Sequence, residues 1–240
     1  MLEVNGLCKR FGGFLAVNQV SFELRAGEIL GLIGPNGSGK STTFNLIAGA
    51  LRPSGGSVRF EGREIGGLPA HRICRLGLAR TFQIPRPFRK LSLLDNVTLA
   101  AFYGVSGTIG GGEARRRAEA ALELVGLPVD TIGTEGLGAA SLKKLELARA
   151  LATQPRLLLA DESLGGLDHA EMERAADMLE AIRSRLGITI IWVEHIMGVL
   201  MRVVDRVIVL DHGEKICEGA PQAVAQDPRV IEVYLGKAHQ

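Results

Sequence analysis

No apolar run in this sequence approaches the ~20 consecutive residues needed to span a bilayer, so in any membrane process another chain must do the crossing. The opening segment, MLEVNGLCKR, holds no apolar signal core. Cysteine is scarce. Cys8, Cys74 and Cys217 are far apart and form no CxxC pair, which argues against a disulfide framework and for a reducing compartment. Charge of one sign is missing too: the formal net charge is +2 and no basic stripe dominates, so no nucleic-acid partner is expected. The longest basic run, Arg115-Arg116-Arg117, lies among Ala and Glu and reads as a solvated helix face. Internal repeats are absent, which points to one domain and not a fused pair.

What is present is the balance of an ordinary soluble globular protein, 46% apolar and 22% charged. Its 240 residues suffice for one domain, whole or in two lobes. Short strand-like runs alternate with longer helical patterns. Strands are expected over 2–9, 20–24, 28–33 and 56–60, with a helix from Lys40 to Ala48. The middle third differs. Helices over 69–76, 93–102 and 113–124 surround GVSGTIGGG (104–112), a stretch too rich in glycine to order well. A further helix starts at Ser141, a plausible N-cap. The alternation then resumes: strand 157–160, helix 170–186, strand 188–193, a hairpin around Asp211-His212-Gly213 and a mostly helical tail, 221–236. Such alternation implies an α/β fold with a mostly parallel sheet.

Residues 34–42 read GPNGSGKST and match G-x-x-x-x-G-K-[ST] through Gly34, Gly39, Lys40 and Ser41. The stretch stands between a strand and a helix, the context that gives this motif its meaning. Glycines let backbone N–H groups close around phosphates, and the following helix presents its positive end. Lys40 is expected at the β- and γ-phosphates and the Ser41 hydroxyl on Mg²⁺. The apolar strand Leu157-Leu158-Leu159-Ala160 ends in Asp161-Glu162. Asp161 fits a Mg²⁺ ligand, direct or through water, and Glu162 a group that polarises the attacking water.

Other stretches carry a family resemblance. Arg80-Thr81-Phe82-Gln83, Gly165-Gly166-Leu167-Asp168 and Ile191-Trp192-Val193-Glu194-His195 follow the loop in the order found in ABC transporter ATPases, and the resemblance covers essentially the whole chain. It implies a P-loop core of the ABC type, with an N-terminal antiparallel β subdomain and a helical subdomain near 84–154. It implies ATP and Mg²⁺ as ligands. Gln83 would contact the metal or the lytic water, and His195 the γ-phosphate. Phe11 stands where an aromatic stacks on adenine, Val17 would flank the base, and Pro35, Asn36, Gly37, Ser38 and Thr42 complete the cradle. RTFQIPRPF (80–88), LSLLDNV (91–97), the stretch 193–221 and VIEVYLG (230–236) resemble the ATPases of branched-chain amino-acid and amide importers. The implied partners are membrane-spanning permease subunits, a second ATPase subunit and a periplasmic solute-binding protein. The implied location is the cytoplasmic face of a bacterial inner membrane.

The sequence departs from that family at its signature, roughly LSGGQ. The matching stretch is Leu137-Gly138-Ala139-Ala140-Ser141, with Gly138 for the Ser, Ala140 for the second Gly and Ser141 for the Gln. Ala140 adds a methyl where backbone and phosphate come close. A weakened site at this signature is one expectation; a subfamily that tolerates loose signatures is the other. Ser163, where Pro is usual, is a smaller departure. Two other classes compete. One is a repair or ribosomal ATPase, which would bring coiled coils, zinc modules or a second ATPase domain. The other is a nucleotide-gated regulatory subunit with little turnover.

Overall fold

The structure is a computed structural model that describes residues 1–130, 133–161, 168–194 and 197–235, with the Leu235 side chain excepted. The chain divides into two compact units, one formed by Met1–Ala70 with Thr189–Gln240, the other by His71–Ile188.

In the first unit, β1 (Leu2–Phe11), β2 (Phe14–Leu24), β4 (Gly55–Phe60) and β5 (Arg63–Glu64) form an antiparallel sheet in the order β2-β1-β4-β5. Alternate residues Leu2, Val4, Val20, Phe22, Val58 and Phe60 are buried from these strands, as period-two patterning requires. A separate set runs β10-β9-β3-β8. Here β3 (Ile29–Ile33) lies parallel to both β8 (Thr189–Val193) and β9 (Arg206–Asp211), and β10 (Glu214–Gly219) turns back antiparallel. All five residues of β3 and of β8 are buried, the mark of strands covered on both faces. Helices α1 (Lys40–Ile47), α7 (Met197–Val203), α8 (Pro221–Ala225) and α9 (Pro228–Leu235) complete the unit.

In the second unit, β6 (Leu78–Arg80) pairs in parallel with β7 (Leu157–Asp161). Helices α3 (Leu93–Tyr103), α4 (Gly111–Leu124) and α5 (Ala139–Ala152) pack on one another through Leu93, Val97, Ala114, Ala118, Leu145 and Ala148, all buried. The small residues on α4 let the three helices approach closely. The unit also holds α2 (Ala70–Arg75) and α6 (His169–Leu186). Helix α6 opens with a capping box, in which Asp168 accepts from the Glu171 N–H and Glu171 from the Asp168 N–H. It ends on Gly187 in the left-handed conformation.

Several expectations change. Helix α5 begins at Ala139 with extended Gly138 as its N-cap, so Ser141 sits inside the first turn and caps nothing. Two alanines, the best helix formers, extend the helix back to the glycine. The glycine stretch 104–112 is partly regular, since Gly104 closes α3 and Gly111 and Gly112 open α4. Strand β2 reaches back to Phe14, and β5, β6 and α7 come in addition. The arginine run is the solvated face expected. Glu113 pairs with Arg116 and Arg117, and Arg115 with Glu119, all at helical spacing on α4.

Candidate functional site

The loop between β3 and α1 lies in the first unit. Its geometry follows from glycines that nothing else could replace. Gly34 has φ +150°, and a Cβ there would come 2.1 Å from the Leu210 carbonyl oxygen and 2.5 Å from Ser38 Oγ. Gly39, the N-cap of α1, has φ +99°, and its Cβ would come 2.7 Å from the Ala16 oxygen. The loop is therefore pressed against the end of β9 on one side and against β2 on the other. The Ser38 oxygen accepts from the Gly213 N–H at 3.1 Å, which ties the loop to the β9–β10 turn.

Lys40 is almost fully buried and curls back, donating from Nζ to the Gly34 oxygen at 2.7 Å and the Pro35 oxygen at 2.9 Å. Its ammonium thus sits inside the loop it follows. The start of α1 has no side-chain cap, so its first N–H groups stay available to an anion. Asn36, Gly37 and Ser41 are exposed, Pro35, Gly39 and Thr42 half-buried. Ser38 Oγ is buried with no hydrogen-bond partner. This donor set fits a polyphosphate: clustered amides, one ammonium and hydroxyls, with no carboxylate in the motif.

Two further expected ligands lie in the same unit. Phe11 is the last residue of β1 and 46% exposed, with Lys9 Nζ 5.0 Å from its ring centre. Val17 is fully buried, and its Cγ2 would be 3.6 Å from a Cβ at Gly39, so it supports the loop from beneath. Helix α9 also reaches the loop. Arg229, Glu232 and Val233 line a cleft with Pro35–Ser38, and Tyr234 receives a hydrogen bond from the Gly34 backbone. Burial raises the Tyr234 pKa, and that hydrogen bond partly offsets the rise.

The second unit carries Asp161 as the last residue of β7, 3% exposed. Its Oδ2 accepts from Arg80 Nη2 at 2.6 Å, and its backbone N–H donates to Thr81 Oγ1 at 3.2 Å. Its Oδ1 is buried without a partner, an oxygen suited to a hard cation such as Mg²⁺. Gln83 is exposed in a bend three residues beyond the end of β6. Glu162, Ser163, Gly165, Gly166, Leu167 and His195, among them the acid expected to polarise water and the histidine expected from the family resemblance, lie outside the described residues. Asp168 is described, and its side chain caps α6.

Arg80 is the residue the sequence reading named without giving it a task. The available signal was a cation closing the apolar strand LGLAR, where its charge needs a buried partner. Glu146, 5% exposed, is not singled out by the sequence reading at all. An acid inside the apolar run LELARAL marks a side chain held by specific partners.

Comparison with known proteins shows the family and the fold. The family description "ABC transporter" matches residues 17–165, and "Branched-chain amino acid ATP-binding cassette transporter" matches residues 214–240. A high-affinity branched-chain amino acid transport ATP-binding protein LivG from Salmonella typhimurium is 37% identical, covering 99% of this chain and 98% of its own. The protein BraF from Pseudomonas aeruginosa, of the same description, is 36% identical over 99% and 98%. A lipopolysaccharide export system ATP-binding protein LptB from Acidithiobacillus ferridurans is 33% identical over 100% and 98%. Among solved structures, a nucleotide-free ATP-binding cassette from an ABC transporter superposes with a TM-score of 0.89 at 27% identity, covering 99% of each chain.

Proposed function

Because the chain belongs to the ABC transporter family of ATP-binding cassettes, we propose that it hydrolyses ATP to drive an importer of branched-chain amino acids or related amides. The observation that carries this reading is the phosphate loop, with buried Lys40 folded into it. The match of residues 214–240 to the branched-chain group supports the cargo class, as do relatives named for that transport.

In this reading Gly34–Thr42 hold the triphosphate, with Lys40 on the β- and γ-phosphates. Phe11 stacks on the adenine, and Val17 holds the loop at the base. Ser41, Gln83 and Asp161, through its spare Oδ1, supply oxygens to Mg²⁺, which neutralises charge on the phosphates when bound. Glu162 orients and deprotonates the attacking water, and His195 stabilises charge on the γ-phosphate. Two such domains close around two ATP molecules, each held between one chain's phosphate loop and the other's signature helix. Closure is favoured because ATP makes contacts in the closed pair that the open pair lacks. The partners are membrane-spanning permease subunits and a second ATPase subunit, with a periplasmic solute-binding protein in the assembled system. The chain sits at the cytoplasmic face of a bacterial inner membrane. Among the described residues no helix is long and apolar enough to cross a membrane.

One observation favours a second reading, a nucleotide-gated subunit with little turnover. Gly138 and Ala140 replace the signature residues expected to meet the partner's γ-phosphate. Steady-state ATP hydrolysis by the purified chain, alone and with a candidate partner ATPase, separates the two. Turnover that Glu162→Gln abolishes supports the first. ATP binding without turnover, even with permease and partner present, supports the second.

A further inference from the structure

Residues 84–88, the loop after Gln83, are built into the helices of the second unit by side chains that hydrolysis does not use. Arg86 offers one backbone donor and one acceptor, and α5 takes both. Its N–H donates to Glu146 Oε1 at 2.7 Å. Its oxygen accepts from Arg149 Nη1 at 2.8 Å. The same Nη1 lies 2.8 Å from Glu146 Oε1, which closes a three-membered knot. Two residues on, α3 does the same for Phe88: the Phe88 N–H donates to Asn96 Oδ1 at 2.8 Å, and Asn96 Nδ2 donates back to the Phe88 oxygen at 3.1 Å. Glu146 is 5% exposed and Asn96 fully buried. The Arg149 guanidinium also stands 5.4 Å from the Phe88 ring centre. Arg149 Nε is buried with no hydrogen-bond partner, but the bonds made by Glu146, Asn96 and Arg149 Nη1 tie the loop backbone to two helices. Buried bonds of this kind rigidify what they join.

The outer side of the loop is the reverse. Ile84 is 74% exposed and Phe88 50%, with Phe82 similar. Pro85 and Pro87 fix φ and remove two backbone donors, so the segment has little freedom of its own.

Helix α5 starts at Gly138-Ala139, in the signature stretch. Glu146 and Arg149 stand two to three turns further along the same helix. We propose that Glu146, with Arg149, is the positioning residue that makes the membrane-facing loop move as one body with the signature helix, so that a displacement of α5 is delivered undiminished to Ile84 and Phe88. Asn96 supplies the second anchor, from α3. This inference rests on the transport reading above: the loop's exposed apolar residues are what a permease subunit would grip.

The test uses the full chain and the transporter reconstituted with its permease, comparing Glu146→Ala, the milder Glu146→Gln, and wild type. Hydrogen exchange on the isolated chain is read first. Pro85 and Pro87 leave only Ile84, Arg86 and Phe88 amides in the segment, so its signal is simple. In Glu146→Ala the Arg86 amide exchanges about tenfold faster or more, while Phe88, held by Asn96, changes little. Glu146→Gln, which keeps an acceptor oxygen, falls between. In the reconstituted transporter the ratio of solute moved to ATP hydrolysed drops several-fold in Glu146→Ala, with ATP hydrolysis of the isolated chain unchanged. A merely structural residue would lower both together. Unchanged Arg86 exchange in both variants, or an unchanged ratio in a well-folded variant, overturns the proposal. A wild-type chain that hydrolyses ATP and moves no branched-chain solute overturns the transport reading instead, and the exchange result then decides the clamp alone.

Discussion

Arg80 Nη2 lies 2.6 Å from Asp161 Oδ2, with the two side chains 12% and 4% exposed. The pair joins the end of β6 to the end of β7, where the parallel ladder finishes at Arg80 and Leu159. It leaves Asp161 Oδ1 buried without a hydrogen-bond partner. Phe82 covers the guanidinium at 5.4 Å from its ring centre. Removing one partner of a buried pair strands the other's charge, which costs about 3–5 kcal/mol. Arg80→Met and Asp161→Asn should each show such a loss in urea unfolding. The double variant should lose clearly less than the sum. Strict additivity would mean the pair contributes nothing to folding.

Gly34 tolerates no side chain. A Cβ would meet the Leu210 oxygen at 2.1 Å, and φ of +150° is itself a glycine conformation. Gly34→Ala should therefore cost about 1–3 kcal/mol from backbone strain alone, and ATP binding should fall with it as the loop shifts. Calorimetric melting and titration with a fluorescent ATP analogue check both. Wild-type melting with wild-type affinity would show that the loop adjusts freely.

Lys40 donates to two carbonyls of the loop at 2.7 and 2.9 Å. Lys40→Ala should lower ATP hydrolysis by about 10²–10³-fold, the scale of losing one preorganised donor at a reacting centre. Arg is no substitute, because a planar fork cannot occupy the place of a compact ammonium. Steady-state turnover of Lys40→Ala and Lys40→Arg, with circular dichroism as a folding control, decides this. Substantial turnover in either would remove Lys40 from the proposed chemistry.

Much of this was legible in the sequence because local rules and the fold agree. GPNGSGKST needs its strand and helix, and both are there. The buried strand LLLAD ends on its acid. What escaped was set by partners distant in the chain. Strand β6 is three residues long and exists because β7 pairs with it. The tasks of Arg80 and Glu146 depend on residues 81 and 60 positions away. Ser141 misled because a hydroxyl near a helix start resembles a cap, while the backbone entered the helix at Ala139, two residues earlier. The glycine-rich stretch is irregular over 105–109, as its composition suggests, but four of its glycines cap or open helices: Gly104 ends α3, Gly110 caps α4, and Gly111 and Gly112 open it.

Tyr234 gives the C-terminal helix a direct hold on the phosphate loop. Its hydroxyl is half-buried and hydrogen-bonded from the Gly34 backbone, and burial raises its pKa above the ordinary tyrosine value of 10.0. The unfolded chain therefore ionises this phenol first. The sign follows: stability tied to the neutral hydroxyl is complete below the unfolded pKa and is lost as pH rises through and beyond it. Tyr234→Phe should flatten that alkaline decline while keeping the ring's packing. It should also weaken ATP binding about two- to tenfold, the worth of one neutral hydrogen bond, because the Gly34 amide loses its partner. Urea unfolding at stepped pH from neutral to alkaline, with ATP titration at neutral pH, measures both. An alkaline decline identical in wild type and variant, with equal ATP affinity, would reduce Tyr234 to a packing residue and leave α9 without a role at the nucleotide.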